Sequence, residues 1–449
     1  SDRYGLDART PDARIWLGVL SIAVLACGHA ACQTPLVPSL PVIFQASSLA
    51  PGVNLVSFVD IVDDADGDGR PDLMVGTNLT SVMPANVRIF NPLTGAVIRT
   101  HVNTPTEFYG FGGATLGDCN GDGFREYALT STPMSGSTQP AEVHIFSGAN
   151  GSLMRVDVPF SAVGGSMSDI SPIGDLDQDG YDDYCVGVDS YTPVISLFTL
   201  GYGAVYVYSG FSGTVLHQIV GLGPLHALGT RVAGLGDLNG DGHADIGVYS
   251  WAEPTQPSST RNIYIYYLTP AWYSPAHHLV SPPEGFGTDS PMPIRDMDGD
   301  GLPDFVIGRP SIWACTAPIP GPVEVRSGVT AQVICAIAPP VVGHSQFGVQ
   351  LADVGDIDGD GYDELAISAP TALPLGTTTY GVVYFYSTLT RQRLFQVHDD
   401  FGGLPTTCYA AGNTNGIGAS SHGQGIAGGH DFDGDGFDDV VLANANAWI

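Results

Sequence analysis

The chain of 449 residues contains no lysine, and its 15 basic residues are all arginine. Schiff-base chemistry and Walker-type phosphate binding both need a lysine amine, so the sequence excludes both. Acidic residues number 46, which gives a formal net charge of −31 at pH 7. Basic patches are also lacking. Because nucleic acid is a polyanion, this charge argues against a nucleic-acid partner.

Long apolar runs and familiar catalytic motifs are lacking too. The apolar stretch at residues 15–26 has only twelve residues, which is too short to span a bilayer. The chain has no GxSxG elbow and no zinc-protease motif, so neither a serine hydrolase nor a zinc protease is indicated.

What the chain does contain is a nine-residue pattern that recurs seven times. It has an acidic or amide side chain at positions 1, 3 and 5, Gly at position 6 and a carboxylate at position 9. We number the copies loops 1 to 7. Their residues at positions 1, 3, 5 and 9 are, in order, Asp64, Asp66, Asp68 and Asp72; Asp118, Asn120, Asp122 and Glu126; Asp175, Asp177, Asp179 and Asp183; Asp237, Asn239, Asp241 and Asp245; Asp296, Asp298, Asp300 and Asp304; Asp356, Asp358, Asp360 and Glu364; Asp431, Asp433, Asp435 and Asp439.

Oxygen side chains on alternate residues, followed by a Gly that turns the backbone sharply, are typical of loops that wrap Ca²⁺. The position-7 carbonyl would supply a further oxygen. An EF-hand places a bidentate Glu at position 12. Here position 12 is always apolar, from Val75 in loop 1 to Leu442 in loop 7. The pattern therefore predicts up to seven Ca²⁺ sites that are not EF-hands.

Short β-strands surround each loop in the predicted secondary structure. A strand leads into the loop, an apolar strand follows it, and two more strands complete the unit, separated by a turn rich in Gly, Ser or Thr. The loops start 54, 57, 62, 59, 60 and 75 residues apart. Four strands per repeat of this length is typical of a propeller blade, and both a β-solenoid and a thrombospondin type 3 array would repeat faster. The predicted fold is an all-β, seven-bladed β-propeller of four-stranded antiparallel blades with a DxDxDGxxD calcium loop in each blade.

From about residue 50 onward the sequence resembles the FG-GAP repeats of the integrin α-subunit propeller and of many secreted bacterial proteins. The resemblance is clearest at Phe347-Gly348 with loop 6, and the dipeptide recurs at Phe111-Gly112 and Phe286-Gly287. Leu228-Gly229 and Gly164-Gly165 replace it elsewhere. The resemblance implies that each loop joins the first two strands of a blade, and that partners bind the opposite face. A cation loop in every blade is closer to the bacterial members.

The acidity of the chain agrees with cation binding, because 26 of its acids occupy positions 1, 3, 5 and 9 of the loops. Clustered carboxylates repel one another unless counter-ions are present. Seven divalent ions would contribute 14 positive charges and change the net charge from −31 to −17. We therefore expect folding to depend on Ca²⁺, with weak sites of about 0.1 to 1 mM.

The N-terminus indicates export. Arginines precede the apolar residues 15–26, as in a signal peptide. Residues 1–32 are accordingly predicted to be a leader and linker, and residues 33–449 a single propeller. Residues 24–27 also resemble a bacterial lipobox, so Cys27 is either discarded with the leader or lipidated as a membrane anchor. We expect a secreted, cell-surface or periplasmic protein.

The sequence pattern does not supply all four strands of the last blade. Only one strand, from Val440, follows loop 7 before the chain ends. We predict that residues 41–47 pair with the blade around Val440 and so complete the last blade, and that the sequence is a fragment of a longer reading frame.

Catalysis is not expected. His277, His278, His422 and His430 lie far apart in the sequence, and a carboxylate bound to Ca²⁺ is a poor general acid. Most tyrosines alternate as core residues do, whereas Trp251, Trp272, Tyr273 and Trp313 lie in or near loops that could contact a glycan or a protein.

The expected function is a calcium-binding adhesion or ligand-binding platform whose partner is unknown. The alternatives are a lyase-like, calcium-dependent polysaccharide enzyme and an accessory domain of a larger secreted enzyme.

Overall fold

The computed structural model describes residues 22–25, 42–46, 56–77, 86–102, 107–133, 140–159, 167–191, 201–224, 226–250, 262–280, 291–309, 321–340, 347–369, 382–398 and 425–443. These residues form 28 β-strands arranged in four-stranded antiparallel sheets. None of them lies in a helix long and apolar enough to cross a membrane.

Six of the sheets are built from four consecutive strands, and we call these blades 1 to 6. The two strands that precede them are β1 (Ile22–Leu25) and β2 (Val42–Ala46). Blade 1 consists of β3 (Val56–Val62), β4 (Asp72–Thr77), β5 (Asn86–Phe90) and β6 (Val97–Val102). Blade 2 consists of β7 (Glu107–Thr115), β8 (Tyr127–Pro133), β9 (Glu142–Phe146) and β10 (Leu153–Asp157). Blade 3 consists of β11 (Asp169–Gly174), β12 (Asp183–Val188), β13 (Ala204–Tyr208) and β14 (Val215–Val220).

The other three blades follow the same order. Blade 4 consists of β15 (Leu228–Gly236), β16 (Asp245–Ser250), β17 (Asn262–Leu268) and β18 (Tyr273–Val280). Blade 5 consists of β19 (Met292–Ile294), β20 (Asp304–Gly308), β21 (Val323–Arg326) and β22 (Val333–Ile337). Blade 6 consists of β23 (Leu351–Asp353), β24 (Glu364–Ala369), β25 (Val382–Ser387) and β26 (Arg393–His398).

The prediction of seven blades is wrong, because the structure has six. Loop 7 lies in a different kind of sheet, which we call the closing sheet. Its strand order is β2-β1-β28-β27, with β27 (Ile426–His430) and β28 (Asp439–Ala443) at the C-terminal side. The described chain supplies only two strands around loop 7, so the N-terminal strands β1 and β2 complete this sheet.

The segment that was predicted to complete this sheet, residues 41–47, does join it as β2. Leu25 of β1, and not a residue of 41–47, lies opposite Val440. The strand β2 pairs with β1 at the outer edge of the sheet. Since β1 falls within residues 1–32, the predicted leader and the closing sheet use the same residues.

The hydrophobic core lies between neighbouring sheets. Val59 and Val75 of blade 1 pack with Phe432 of the closing sheet, and Val354 of blade 6 packs with Val440 on its other side. Similar buried clusters separate the successive blades. The first strands of adjacent sheets contact one another all the way round, so the sheets form a closed ring.

Strand position explains the burial pattern. All six residues of β4 are buried, since a second strand has sheet neighbours on both sides and packed sheets on both faces. The fourth strands form the outer rim, and β6 is largely exposed or half-buried. Each loop joins the first and second strands of its sheet, as the family resemblance implied. The loops therefore lie on one face of the ring.

Candidate cation-binding loops

Glycine at position 6 lets every loop turn. In all seven loops this residue has φ between +86° and +94°, which is the left-handed region that other residues avoid. Gln178, at position 4 of loop 3, also has a positive φ of 60°. The tight turn that the sequence predicted is thus present in every copy.

The carboxylate at position 1 organises the turn. In each loop one of its oxygens accepts the N–H of position 6, at 2.7 to 2.9 Å. In loop 5, the N–H groups of Gly299 and Gly301 hold the pKa of Asp296 below its usual value. The side chain of position 5 accepts the N–H of position 7 at 2.9 to 3.0 Å. Backbone donors thus fix the orientation of these oxygens.

The position-9 carboxylate is completely buried in all seven loops. One of its oxygens accepts the N–H of position 2 at 2.7 to 3.0 Å. Burial, together with the carboxylates of the same loop, raises the pKa of Asp72 and of Asp439 to about 7 and that of Glu364 to about 8. In these three loops, burial and the neighbouring carboxylates therefore disfavour a negative charge at position 9.

Five loops bring carboxylate oxygens close enough to hold one ion. In each set the three ligand atoms lie within 4.8 Å of one another. The sets are Asp64, Asp66 and Asp72; Asp175, Asp177 and Asp183; Asp296, Asp298 and Asp300; Asp356, Asp358 and Asp360; Asp431, Asp433 and Asp439. These all-oxygen clusters fit a hard divalent cation.

Loops 2 and 4 differ because position 3 is an amide. In loop 2 the Nδ2 of Asn120 donates to Asp122 Oδ2 at 3.1 Å and to Glu126 Oε1 at 2.7 Å. In loop 4 the Nδ2 of Asn239 donates to Asp241 Oδ2 at 3.1 Å. Rotation of either amide would turn its oxygen toward a cation instead.

The second oxygen of position 9 separates the loops into two groups. Asp72 Oδ1, Glu364 Oε1 and Asp439 Oδ1, in loops 1, 6 and 7, are buried and have no hydrogen-bond partner among the described residues. In loops 3, 4 and 5 the equivalent oxygen accepts an N–H from the end of the third strand or from the turn after it, namely from Gly210, Leu268 and Gly328. In loop 2 it accepts from Asn120. An unpaired buried oxygen is costly, and a cation would satisfy it.

Sequence reasoning missed a residue at loop 1. The side chain of Asn91 is buried, and its Nδ2 donates to Asp66 Oδ2 at 2.9 Å and to Asp68 Oδ2 at 2.8 Å. Asn91 lies in the turn between β5 and β6. A polar residue recurs in that turn along the sequence, but the distance to the loop could not be seen there.

The histidines considered for catalysis do not converge. His277 contacts Tyr267 Oη at 3.3 Å and the Val329 carbonyl at 3.0 Å, whereas His278 contacts Asn262 Oδ1 at 3.1 Å. His430 lies on the closing sheet, 3.3 Å from Arg125 Nη2. His422 lies outside the described residues.

The alternating tyrosines are buried at Tyr206, Tyr208, Tyr264 and Tyr266, which confirms that most of them are core residues, whereas Tyr202 and Tyr267 are half-buried. Trp272 and Tyr273 are exposed, as expected. Trp251 and Trp313 are outside the described residues. Among the described residues Cys335 is a free thiol, and Cys315 lies outside them.

The sheets and their acidic loops define a β-propeller with cation-type loops. Residues 349–386, in blade 6, match the model of the FG-GAP repeat family. A segment of 206 residues is 30% identical to a phosphatidylinositol-glycan-specific phospholipase D of Rattus norvegicus, and covers 40% of this chain and 24% of that protein. Another of 167 residues is 26% identical to integrin alpha-3 of Cricetulus griseus, and covers 36% of this chain and 14% of that protein. These findings support an FG-GAP β-propeller, as the sequence resemblance predicted.

The chain spans about a quarter or less of the length of these relatives. Among solved structures, an exotype rhamnogalacturonan lyase, YesX, aligns with a TM-score of 0.37 and 10% identity, over 76% of this chain and 74% of that one. This likeness is too weak to support an argument. That the chain belongs to the bacterial secreted type stays a prediction.

Proposed function

We propose that this chain is a calcium-loaded, non-catalytic propeller that acts outside the cytoplasm as a binding or adhesion platform for a protein or glycan. The observation that carries the calcium part is the set of buried position-9 oxygens without partners. A buried carboxylate that has no counter-charge destabilises a fold by several kcal/mol. A Ca²⁺ ion at each loop would supply that charge, held by the oxygens of positions 1, 3, 5 and 9.

Thermal unfolding tests the calcium part. Ions that bind only the folded loops stabilise the fold by about 1.4 kcal/mol per site when Ca²⁺ is at ten times the dissociation constant. We expect Tm to rise with Ca²⁺ and to fall in excess EDTA, while MgCl₂ at the same ionic strength serves as the control for salt. An unchanged Tm in EDTA would contradict the proposal.

Exposed aromatics support the platform part. Phe124, Phe211, Trp272 and Tyr362 are exposed on the loop face, on loops or on turns between third and fourth strands. Aromatic faces stack on sugars and anchor protein partners. The connections on the opposite face, where the resemblance implies a ligand, lie almost wholly outside the described residues. A glycan array with and without Ca²⁺ distinguishes a glycan from a protein ligand.

A second candidate is an accessory propeller of a larger enzyme. The observation that favours it is the phospholipase D relative, of which this chain matches 24%. In that case the chain alone would be inactive, as the first proposal also expects. Degradation of acidic polysaccharides by the purified chain would contradict both proposals and favour a lyase. A tether at Cys27 would restrict either function to a membrane surface.

A further inference from the structure

The side chain at position 7 of a loop reaches back to the loop before it. Tyr181 of loop 3 packs on Gly121 of loop 2, Leu302 of loop 5 on Gly240 of loop 4, and Phe437 of loop 7 on Gly359 of loop 6. A Cβ added to these position-4 glycines would lie 3.1, 3.3 and 2.6 Å from the respective side chains. The two loops of each of these three pairs are therefore in direct contact.

We call the place where two neighbouring loops meet a junction. At two further junctions the position-7 side chain makes a polar contact with the preceding loop instead. In loop 3 position 4 is Gln178, which has a Cβ, and the ring Nδ1 of His243 lies 2.9 Å from the Leu176 carbonyl instead. Arg70 of loop 1 donates to the Phe432 carbonyl of loop 7 and also lies against Gly434. Both carbonyls belong to position 2 of the preceding loop.

Among the described residues, the position-7 contact is missing at two junctions. An ion pair links the neighbouring loops there instead, Arg125 with Asp63 and Arg295 with Asp363. Nothing lies within 4 Å of a Cβ added to Gly67 of loop 1 or to Gly299 of loop 5. The corresponding position-7 side chains, Phe124 and Tyr362, are exposed by 39% and 38%. Tyr362 instead receives the guanidinium of Arg295 over its ring, at 4.9 Å.

These two interruptions of the position-7 contact divide the loops into a run of loops 2 to 5 and a run of loops 6, 7 and 1. The same division appears independently at position 9. The second carboxylate oxygen is unpartnered in loops 1, 6 and 7, and hydrogen-bonded in loops 2, 3, 4 and 5. Two unrelated features of the structure therefore give the same two groups.

We propose that the loops bind cations as two coupled arrays, 2-3-4-5 and 6-7-1, in which the position-7 side chain of each loop supports the loop before it. A cation held by position 5 and the position-7 carbonyl would also fix the position-7 side chain, because position 5 bonds the position-7 N–H. An ordered side chain there restrains position 4 of the preceding loop. Coupling of this kind is reciprocal between the two sites. The inference rests on the proposed calcium binding.

Two matched variants test the coupling. Phe437→Ala removes the contact with Gly359, whereas Phe124→Ala makes the same change at position 7 of loop 2, where no such contact exists. Hydrogen exchange followed by mass spectrometry across a Ca²⁺ titration gives a protection midpoint for each loop. We expect F437A to raise the midpoint of residues 356–361 about 5-fold or more. F124A should leave the midpoint of residues 64–69 unchanged. Phe437→Leu should restore coupling, as Leu302 serves this role in loop 5.

The array boundaries give a second test. Asp435→Asn weakens the cation site of loop 7, so the midpoints of loops 6 and 1 should rise while those of loops 2 and 5 stay as in the parent chain. Equal shifts from F437A and F124A, or an effect of D435N that spreads evenly to loops 2 and 5, would overturn the arrays. If Ca²⁺ protects no loop in the parent chain, the calcium proposal itself fails, and the two failures are thus distinguishable.

Discussion

At the scale of the residue, burial determines how each polar side chain behaves. The position-9 carboxylate was predicted as one ligand among four, but the structure shows it to be the buried one, with its neighbours at positions 3 and 5 partly or fully exposed. Alternation along the sequence could predict that four oxygens share a loop. It could not predict which oxygen lacks a partner, because that depends on the end of the third strand and on the turn after it.

Burial also affects a histidine between blades 1 and 2. It lowers the pKa of His101 to about 4, with Arg99 contributing further. The ring Nε2 lies 2.9 Å from Tyr127 Oη, and the ring packs on Phe146. Since the unfolded chain takes up a proton near pH 6.5 and the folded chain only near 4, the stability from His101 is present above 6.5 and is lost as pH falls between these values.

His101→Phe should therefore flatten the pH dependence of stability. Between pH 6.5 and pH 4 the free energy of unfolding should fall by about 1 to 2 kcal/mol more in the parent chain than in the variant, after allowance for the partial exposure of His101. Urea unfolding at fixed Ca²⁺ measures this difference. Parallel curves for the two proteins would show that His101 does not titrate as described.

At the scale of the element, a close approach of two backbones determines how adjacent blades pack. Gly348, of the Phe347-Gly348 dipeptide, has φ +83° and places its carbonyl against Gly308 of β20 in the preceding blade. Gly229 and Gly187 make the same contact between blades 4 and 3. Because the backbone of the glycine makes this contact, the residue before it can be Leu228 as well as Phe347. This explains why the glycine recurs there while the aromatic residue does not.

Gly308→Ala tests this packing. Its Cβ would lie 1.8 Å from the Gly348 carbonyl oxygen, and backbone cannot move aside as a rotamer can. We expect the free energy of unfolding to fall by about 3 kcal/mol. The control is Gly174→Ala, where φ is +77° and nothing lies within 4 Å, so only backbone strain of about 1 to 2 kcal/mol applies. Equal losses of unfolding free energy would contradict the close approach.

Much at this scale was predictable from the sequence. The strands around each loop and the loop position between first and second strands follow from apolar runs and from Gly at position 6. At position 7 the sequence pattern predicted a role only for the backbone carbonyl, as a further oxygen for the cation. The contact of the position-7 side chain with the preceding loop could not be predicted, since a single repeat carries no information about the placement of its neighbour.

At the scale of the whole molecule, the ring is closed by a sheet whose strands come from both ends of the described chain. The six blades follow from local pattern, whereas β1 pairs with β28 at the other end of the described chain, and β2 joins the sheet through β1. Residues 22–25 were assigned to a signal peptide because they are apolar, and apolar residues suit an inner strand equally well. Removal of a leader through residue 32 would remove β1.

Two forms of the chain, residues 1–449 and 33–449, show whether residues 22–25 serve as a strand of the closing sheet or as part of a cleaved leader. If β1 completes the closing sheet, the shorter form should unfold at a lower temperature in saturating Ca²⁺ and should associate through its open edge, because unpaired strands recruit other chains. Scanning calorimetry and size-exclusion chromatography measure both effects. Equal Tm and a monomeric short form would support a leader that is cleaved.

Calcium bound at the loops is the central claim, and anomalous diffraction from crystals grown in millimolar Ca²⁺ tests it most directly. We predict anomalous peaks among the oxygens of positions 1, 3, 5 and 9, first of all in loops 1, 6 and 7, where a buried carboxylate oxygen lacks a partner. Density without a cation in all of those three loops, in crystals that contain Ca²⁺, would contradict the account.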